Sequence, residues 1–424
     1  MADLPTVEED FNIVEYLSKQ SQGLSNYMAA KHPEQLWMVD LQRYYFQMLA
    51  EAREQGKPLI MVGPTIPVEM VYAMGGVPLL LDCFPTRLAS EGDAVHKYID
   101  LANEYLHDTS CALNRGDLGL VLSGHMPTPD VLVYASTPCD SGRAIYSAIA
   151  DHYDCPSICI DTPFVEDERG YAYIAEGLKY AVKFIEEHTG LVMDYDKLKE
   201  TMELSNEAYR LLKEVGDTRK VRPCPLPSRF LVLNEFFGAT TGTQPLIDFL
   251  NTELQFAKAQ IAAGRGAVRG EEKHRVVFMQ NMPWFEVGIL DWLEKEFNTV
   301  VTIDAFGYFN SWQIEDLSSE DAIYRGLAKR VLGQPMTHGS AGPVEGNLAI
   351  IEEGINEYGS DLCFFAGHVG CKHTWAVSKL LADMAYDKYG VRTYAFDLDC
   401  VDQRYKNGEE VKEDLRRFME TLDD

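Results

Sequence analysis

Short apolar runs alternate with helical segments along most of this chain, and that alternation restricts its fold more than any other feature. Pro58-Leu-Ile-Met-Val-Gly63-Pro64 reads as a buried strand closed by a turn. Gly75-Gly76-Val-Pro-Leu-Leu-Leu81, Asp130-Val-Leu-Val-Tyr-Ala135 and Ser157-Ile-Cys-Ile160 continue the series. A second series begins at Arg275-Val-Val-Phe-Met279 and runs through Val300–Ile303, Leu362–Phe365 and Thr393–Phe396. Strands separated by helices pair in parallel, because each connection must cross back over the sheet. The spacing predicts an α/β fold: a helical N-terminal segment over 1–56, a first α/β lobe over 57–169, a mainly helical connecting region over 170–264 and a second α/β lobe over 265–424. The polar, glycine-rich Gly264 to Lys273 stretch marks the boundary before the second lobe.

Composition removes several function classes. A formal net charge of -28 over 424 residues opposes binding to a polyanionic nucleic acid. No run approaches the roughly 18 to 20 apolar residues that a membrane helix needs. The acidic start, Met1-Ala-Asp-Leu-Pro-Thr-Val-Glu-Glu-Asp10, lacks the basic and apolar regions of a secretory signal, so a cytoplasmic location is expected. Nine cysteines in such a chain read as thiols or metal ligands rather than a disulfide framework.

Three of those cysteines stand in distinctive surroundings. Cys111 lies in Asp108-Thr-Ser-Cys-Ala-Leu-Asn-Arg115-Gly-Asp-Leu-Gly119, Cys139 ends the run Val131 to Asp140, and Cys371 sits in Gly367-His-Val-Gly-Cys-Lys-His373. In open α/β sheets ligands gather at the carboxyl ends of strands. Cys139 and Cys371 follow strands, whereas Cys111 stands near a helix start. Soft thiolates converging from several segments suit an iron–sulfur cluster. Cysteine is also a small buried residue, so spacing alone leaves core thiols as the other reading.

The residues beside these cysteines resemble a known family, the catalytic subunits of the 2-hydroxyacyl-CoA dehydratase and benzoyl-CoA reductase superfamily. The likeness rests on Cys111-x₃-Arg115-x₃-Gly119, Thr137-Pro-Cys-Asp140 and Gly370-Cys-Lys372, in that order. Pro67-Val-Glu69 before Gly75-Gly-Val-Pro78, Cys155 to Phe164, and Phe396 to Arg404 add to it. It covers roughly Lys57 to the C-terminus and is weakest in the helical middle. The resemblance implies two Rossmann-like or flavodoxin-like lobes with the cofactor between them. It implies one [4Fe-4S] cluster per chain, held by Cys111, Cys139 and Cys371, with one iron not ligated by protein. It also implies an oxygen-sensitive (R)-2-hydroxyacyl-CoA dehydratase giving a 2-enoyl-CoA through a ketyl radical. Its partners would be an acyl-CoA substrate, a homologous second subunit and an ATP-dependent iron–sulfur activator. Aryl-CoA reduction, or an accessory electron-transfer subunit, are the alternatives.

Glu69 matches the family's active-site carboxylate; the plain alternative is a helix-capping charge. Lys372 and His373 either tune the cluster or simply begin a helix. Cys159 and Cys363, lying inside strands, are expected in the core. Cys83 stands near segments where double-cubane relatives carry extra cysteines, but the turn Val62-Gly-Pro-Thr65 has none. His338 belongs to an active-site loop or to a turn, and Arg265, Arg269 and Lys273 either meet coenzyme A phosphates or form a solvated linker. No phosphate-binding loop, dinucleotide fingerprint or nucleophile elbow is present.

Overall fold

Eight strands form two four-stranded parallel sheets in the computed structural model, which describes residues 11–307, 313–340 and 342–422. The acidic segment Met1 to Asp10, which lacks the marks of a secretory signal, lies outside them. The first sheet comprises β1 (Leu59–Val62), β2 (Val77–Leu80), β3 (Val131–Ala135) and β4 (Ser157–Ile160), in the order β2-β1-β3-β4. The second comprises β5 (His274–Gln280), β6 (Thr299–Asp304), β7 (Leu362–His368) and β8 (Arg392–Leu398), in the order β6-β5-β7-β8. All eight coincide with apolar runs of the sequence. They are short and nearly continuously apolar because helices cover both faces of a parallel sheet.

The register follows from burial. Leu59 pairs with Val77, Ile60 with Val131, and Val276 with Leu362. Phe364 and Phe365, which point to opposite faces of β7, are both fully buried, each worth about 1.5–3 kcal/mol. The edge strand β4 differs. β4 buries only Ile160 fully, and Cys159 is exposed. The expectation that Cys159 is a core thiol is therefore corrected: its strand ends the sheet and one face lies open. Cys363, in the inner strand β7, is buried as expected.

Helices of the middle region tie the sheets together. Helix Glu168–Thr189 buries Ile174, Leu178, Ala181 and Ile185 at helical spacing and packs on helix Glu320–Gly333. Helix Tyr195–Thr218 packs on Gln244–Ala262 and on the short helix Val68–Ala73. Its Asn206 side chain makes paired bonds with the Ile314 backbone, at 2.8 and 2.9 Å. Arg219, also buried, donates to the carbonyls of Leu226 and Val301. No helix among the described residues is long and apolar enough to cross a membrane.

Candidate active site

In each sheet the first and third strands are neighbours, so the chain leaves their carboxyl ends in opposite directions and opens a crevice. Both crevices line one cleft of about 470 Å³. The first lobe contributes Pro64 and Thr65 after β1 and Thr137 to Cys139 after β3. The second contributes Gln280 to Met282 at the end of β5, and His368, Gly370 and Cys371 at the end of β7. Gln280 carries a left-handed backbone, φ 73, without being glycine. Such strain of about 1–3 kcal/mol persists where surrounding packing enforces it, often at sites of function.

Cys111, Cys139 and Cys371 all line this cleft, and each is the N-cap of a helix: Ala112–Leu122, Asp140–Tyr153 and Lys372–Tyr389. Three helix N-termini thus turn unpaired N–H groups and partial positive charge toward sulfur. The Cys139 thiol accepts the Gly142 N–H at 3.2 Å. The neighbouring motif residues hold the loops in place. Arg115 donates to the Ser110 carbonyl at 3.1 Å and to Asn103 Oδ1 at 2.6 Å, fastening the segment before Cys111. Gly119 lets its helix meet the Tyr98 backbone, since a Cβ there would collide with the Tyr98 carbonyl oxygen. At Gly370 a Cβ would lie 2.6 Å from Cys111 Cα. Only glycine allows the second lobe's cysteine loop to reach the first lobe's.

Burial pushes the Cys111 thiol well up and that of Cys139 to about 12; the nearby Cys371 adds to both rises, and Cys111 to that of Cys139. A bound cation reverses this balance, because a coordinating thiol is deprotonated outright. Three thiols set at three helix N-termini around one cleft are a donor set that fits an iron–sulfur cluster.

His368 stands behind Cys111, its Nε2 3.1 Å from the sulfur. The Cys400 N–H donates to Nδ1 at 3.2 Å, which leaves the ring proton on Nε2, facing Cys111. His368, Asp399 and Cys400 bring ligand-capable atoms within 4.8 Å of one another, all three buried. Sequence reasoning missed this trio. His368 lies inside the Gly367 to His373 motif, and Asp399-Cys400 directly follows β8; a carboxylate and thiol just past a strand end were the available signal.

Glu69 is buried at the cleft wall, from the first turn of helix Val68–Ala73. Its Oε1 accepts from Arg330 Nη1 at 2.7 Å and from the Ser205 hydroxyl at 2.8 Å. Arg330, itself buried, donates to Asn206 Oδ1 at 3.1 Å and lies 4.2 Å over the Tyr209 ring. Glu69 and Arg330 are 261 residues apart, and nothing local announced the pairing.

Lys372 and His373 begin a helix, and both also line the cleft; His373 Nε2 is 3.7 Å from Asp140 Oδ2. Cys83 is buried in the wall, with burial the main force raising its thiol. His338 is in a π-helical turn with Nδ1 2.5 Å from Glu166 Oε1, and does not line the cleft. Neither do Arg265, Arg269 or Lys273.

Comparison with known proteins agrees with the motifs. Over 273 residues, 61% of this chain and 67% of the relative, the chain is 25% identical to the (R)-phenyllactyl-CoA dehydratase alpha subunit of Clostridium sporogenes. It is 23% identical to a benzoyl-CoA reductase subunit of Thauera aromatica over 335 residues, 74% and 76% of the two chains. With the (R)-2-hydroxyisocaproyl-CoA dehydratase alpha subunit of Clostridioides difficile the identity is 22% over 417 residues, 94% and 98%. The family model described as 2-hydroxyglutaryl-CoA dehydratase, D-component, matches residues 65–422. The chain belongs to the 2-hydroxyglutaryl-CoA dehydratase D-component family.

Proposed function

We infer that this protein is the catalytic subunit of an (R)-2-hydroxyacyl-CoA dehydratase, a hydro-lyase that forms a 2-enoyl-CoA. The observation carrying this reading is the set of three N-cap cysteines around one cleft that also holds a buried carboxylate. Cys111, Cys139 and Cys371 would hold a [4Fe-4S] cluster with one iron free of protein ligands. When bound, such a cluster supplies a transferable electron and a Lewis-acidic iron. The expulsion of an α-hydroxyl through a ketyl radical needs that electron, since the β-proton is otherwise scarcely acidic.

The chain's own groups bind, orient and move protons. Arg330 pairs with the Glu69 carboxylate and fixes its position. Both hydrogen bonds fall on Oε1, which leaves Oε2 to take the β-proton. The His368 N–H toward Cys111 would steady the charge on that ligand. The alpha-subunit names of the relatives support a second subunit as partner, and an ATP-dependent iron–sulfur activator would supply the electron.

Similarity to the benzoyl-CoA reductase of Thauera aromatica favours aryl-CoA reduction as the second reading. The test is iron and sulfide content after anaerobic purification, with turnover of 2-hydroxyacyl-CoA and benzoyl-CoA measured in parallel. About four irons per chain, lost in Cys371→Ser, with dehydration of the hydroxyacyl substrate, is the expected result. Reduction of benzoyl-CoA alone selects the second reading. Protein that takes up no iron under reconstitution removes both.

A further inference from the structure

Two carboxyl groups beside the cysteines have no part in the scheme above. Asp82 follows β2 at the cleft wall, partly buried, with Oδ1 sealed from solvent and without a hydrogen-bond partner. Asp117 lies on the Cys111 helix and is fully buried, and neither of its carboxyl oxygens has a partner within bonding geometry. Leaving such a group ionised and unpaired in the interior is costly. A proton removes that cost.

The surroundings supply little other compensation. Burial is what raises Asp82, to about 6. Burial raises Asp117 well above the usual carboxylate range, the Asp82 charge adds to it, and the Asn114 side chain offsets it only in part. Tyr146 and Cys139, on the next helix, feel Asp82 as a like charge, and so does Cys83. No cation stands among the groups that shift either carboxyl. The other acids of the cleft differ. Glu69 is ion-paired with Arg330. Burial lifts Glu235 to about 7, but Arg87 and the Thr86 hydroxyl, which donates to it, oppose that rise. Burial raises Asp304 to about 6 as well, but the two backbone N–H bonds it accepts oppose that rise, and the exposed Asp140 pairs with Arg143.

We propose that Asp117 stores a proton and Asp82 delivers it to the leaving hydroxyl of the substrate, the pair acting as the general acid opposite Glu69 as base. This rests on the dehydratase reading. In the step, the carbon–oxygen bond breaks with its electron pair on oxygen, and the carboxyl proton converts departing hydroxide to water. The β-proton goes to Glu69. The pair regains its proton from Glu69 through solvent, so no outside oxidant or reductant enters. The division of labour follows from position: Asp82 reaches the cleft, and Asp117 does not line it.

The test uses anaerobically purified holoenzyme with whatever subunit accompanies it, and has two independent readouts. Infrared titration should show a protonated-carboxyl stretch at pH 7 in wild type. Asp117→Asn should weaken it, leaving the share that Glu235 and Glu253 contribute, and Asp82→Asn should leave it nearly whole. In turnover of a 2-hydroxyacyl-CoA, Asp82→Asn should lower kcat about 100-fold with KM little changed. Asp117→Asn should move the alkaline limb of the kcat profile to lower pH. A 2-chloroacyl-CoA, whose leaving group needs no proton, should be turned over by Asp82→Asn nearly as fast as by wild type. Equal losses on the chloro and hydroxy substrates, or a protonated-carboxyl band at pH 7 that Asp117→Asn leaves unchanged, overturn the proposal while wild-type dehydration still upholds the parent reading. A wild-type holoenzyme that dehydrates no 2-hydroxyacyl-CoA overturns both.

Discussion

Set side by side, the two sheets have the same strand order, so β1, β2, β3 and β4 correspond to β5, β6, β7 and β8. The lobes nevertheless furnish the cleft unequally. Cys139 and Cys371 occupy equivalent places, each capping the helix after the third strand. Cys111 has no counterpart, because the helix before β7, Val344–Asn356, is capped by Pro343. Asp82 and Asp304 are also counterparts, after β2 and at the end of β6. Asp304 is satisfied by the N–H groups of Phe306 and Gly307 at 2.9 and 2.6 Å, whereas Asp82 Oδ1 has no partner. Burial raises both to about 6, so the difference lies in the partners: the backbone bonds of Asp304 shape a turn, and Asp82 keeps an oxygen that none occupies. The shared architecture supplies positions, and departures from symmetry supply the chemistry.

The comparison is broken most severely where the lobes touch. Gly370→Ala forces a Cβ against Cys111 Cα. Iron affinity should fall by more than about 100-fold, beyond the usual effect of a supporting residue, while circular dichroism stays native. Next comes Glu69→Gln, which leaves the Arg330 charge without its carboxylate. A loss of about 3 kcal/mol is expected, the low end for an orphaned buried charge, since Ser205, Asn206 and Tyr209 remain. Denaturant unfolding reads it, and kcat should fall with it.

His368→Ala removes the N–H facing Cys111 and should weaken iron retention about 10- to 100-fold, measured by chelator competition. Retention equal to wild type would reduce His368 to packing.

A smaller contrast separates the paired aspartates. Asp304→Ala leaves two N–H groups without an acceptor and should cost about 1–3 kcal/mol. Asp82→Ala should cost nothing and above pH 6 should stabilise. The sign follows from its raised value: the folded state favours the protonated form, so that stability is whole below about pH 4 and is lost as pH rises through about 6. Equal unfolding midpoints for both variants at pH 7.5 would contradict the assigned difference. Smallest of all is Gly142→Ala, whose Cβ would meet Cys139 Cβ at an ordinary 3.5 Å; thermal unfolding should move by less than about 1 kcal/mol.

The α/β class was legible along the chain, because period and run length record local burial: all eight strands coincide with apolar runs, and Cys139 and Cys371 could be read as following strands. Cys111 was legible too, through neighbours that resemble a family. Which groups meet was settled by packing alone. Nothing local distinguishes edge strand β4 from inner strand β7, which is why Cys159 read as core. The Glu69–Arg330 pair joins helices 261 residues apart, and the Asp82–Asp117 pair joins the end of one strand to the side of a helix. Burial and charge are properties of a neighbourhood, and a neighbourhood exists only once distant segments have packed.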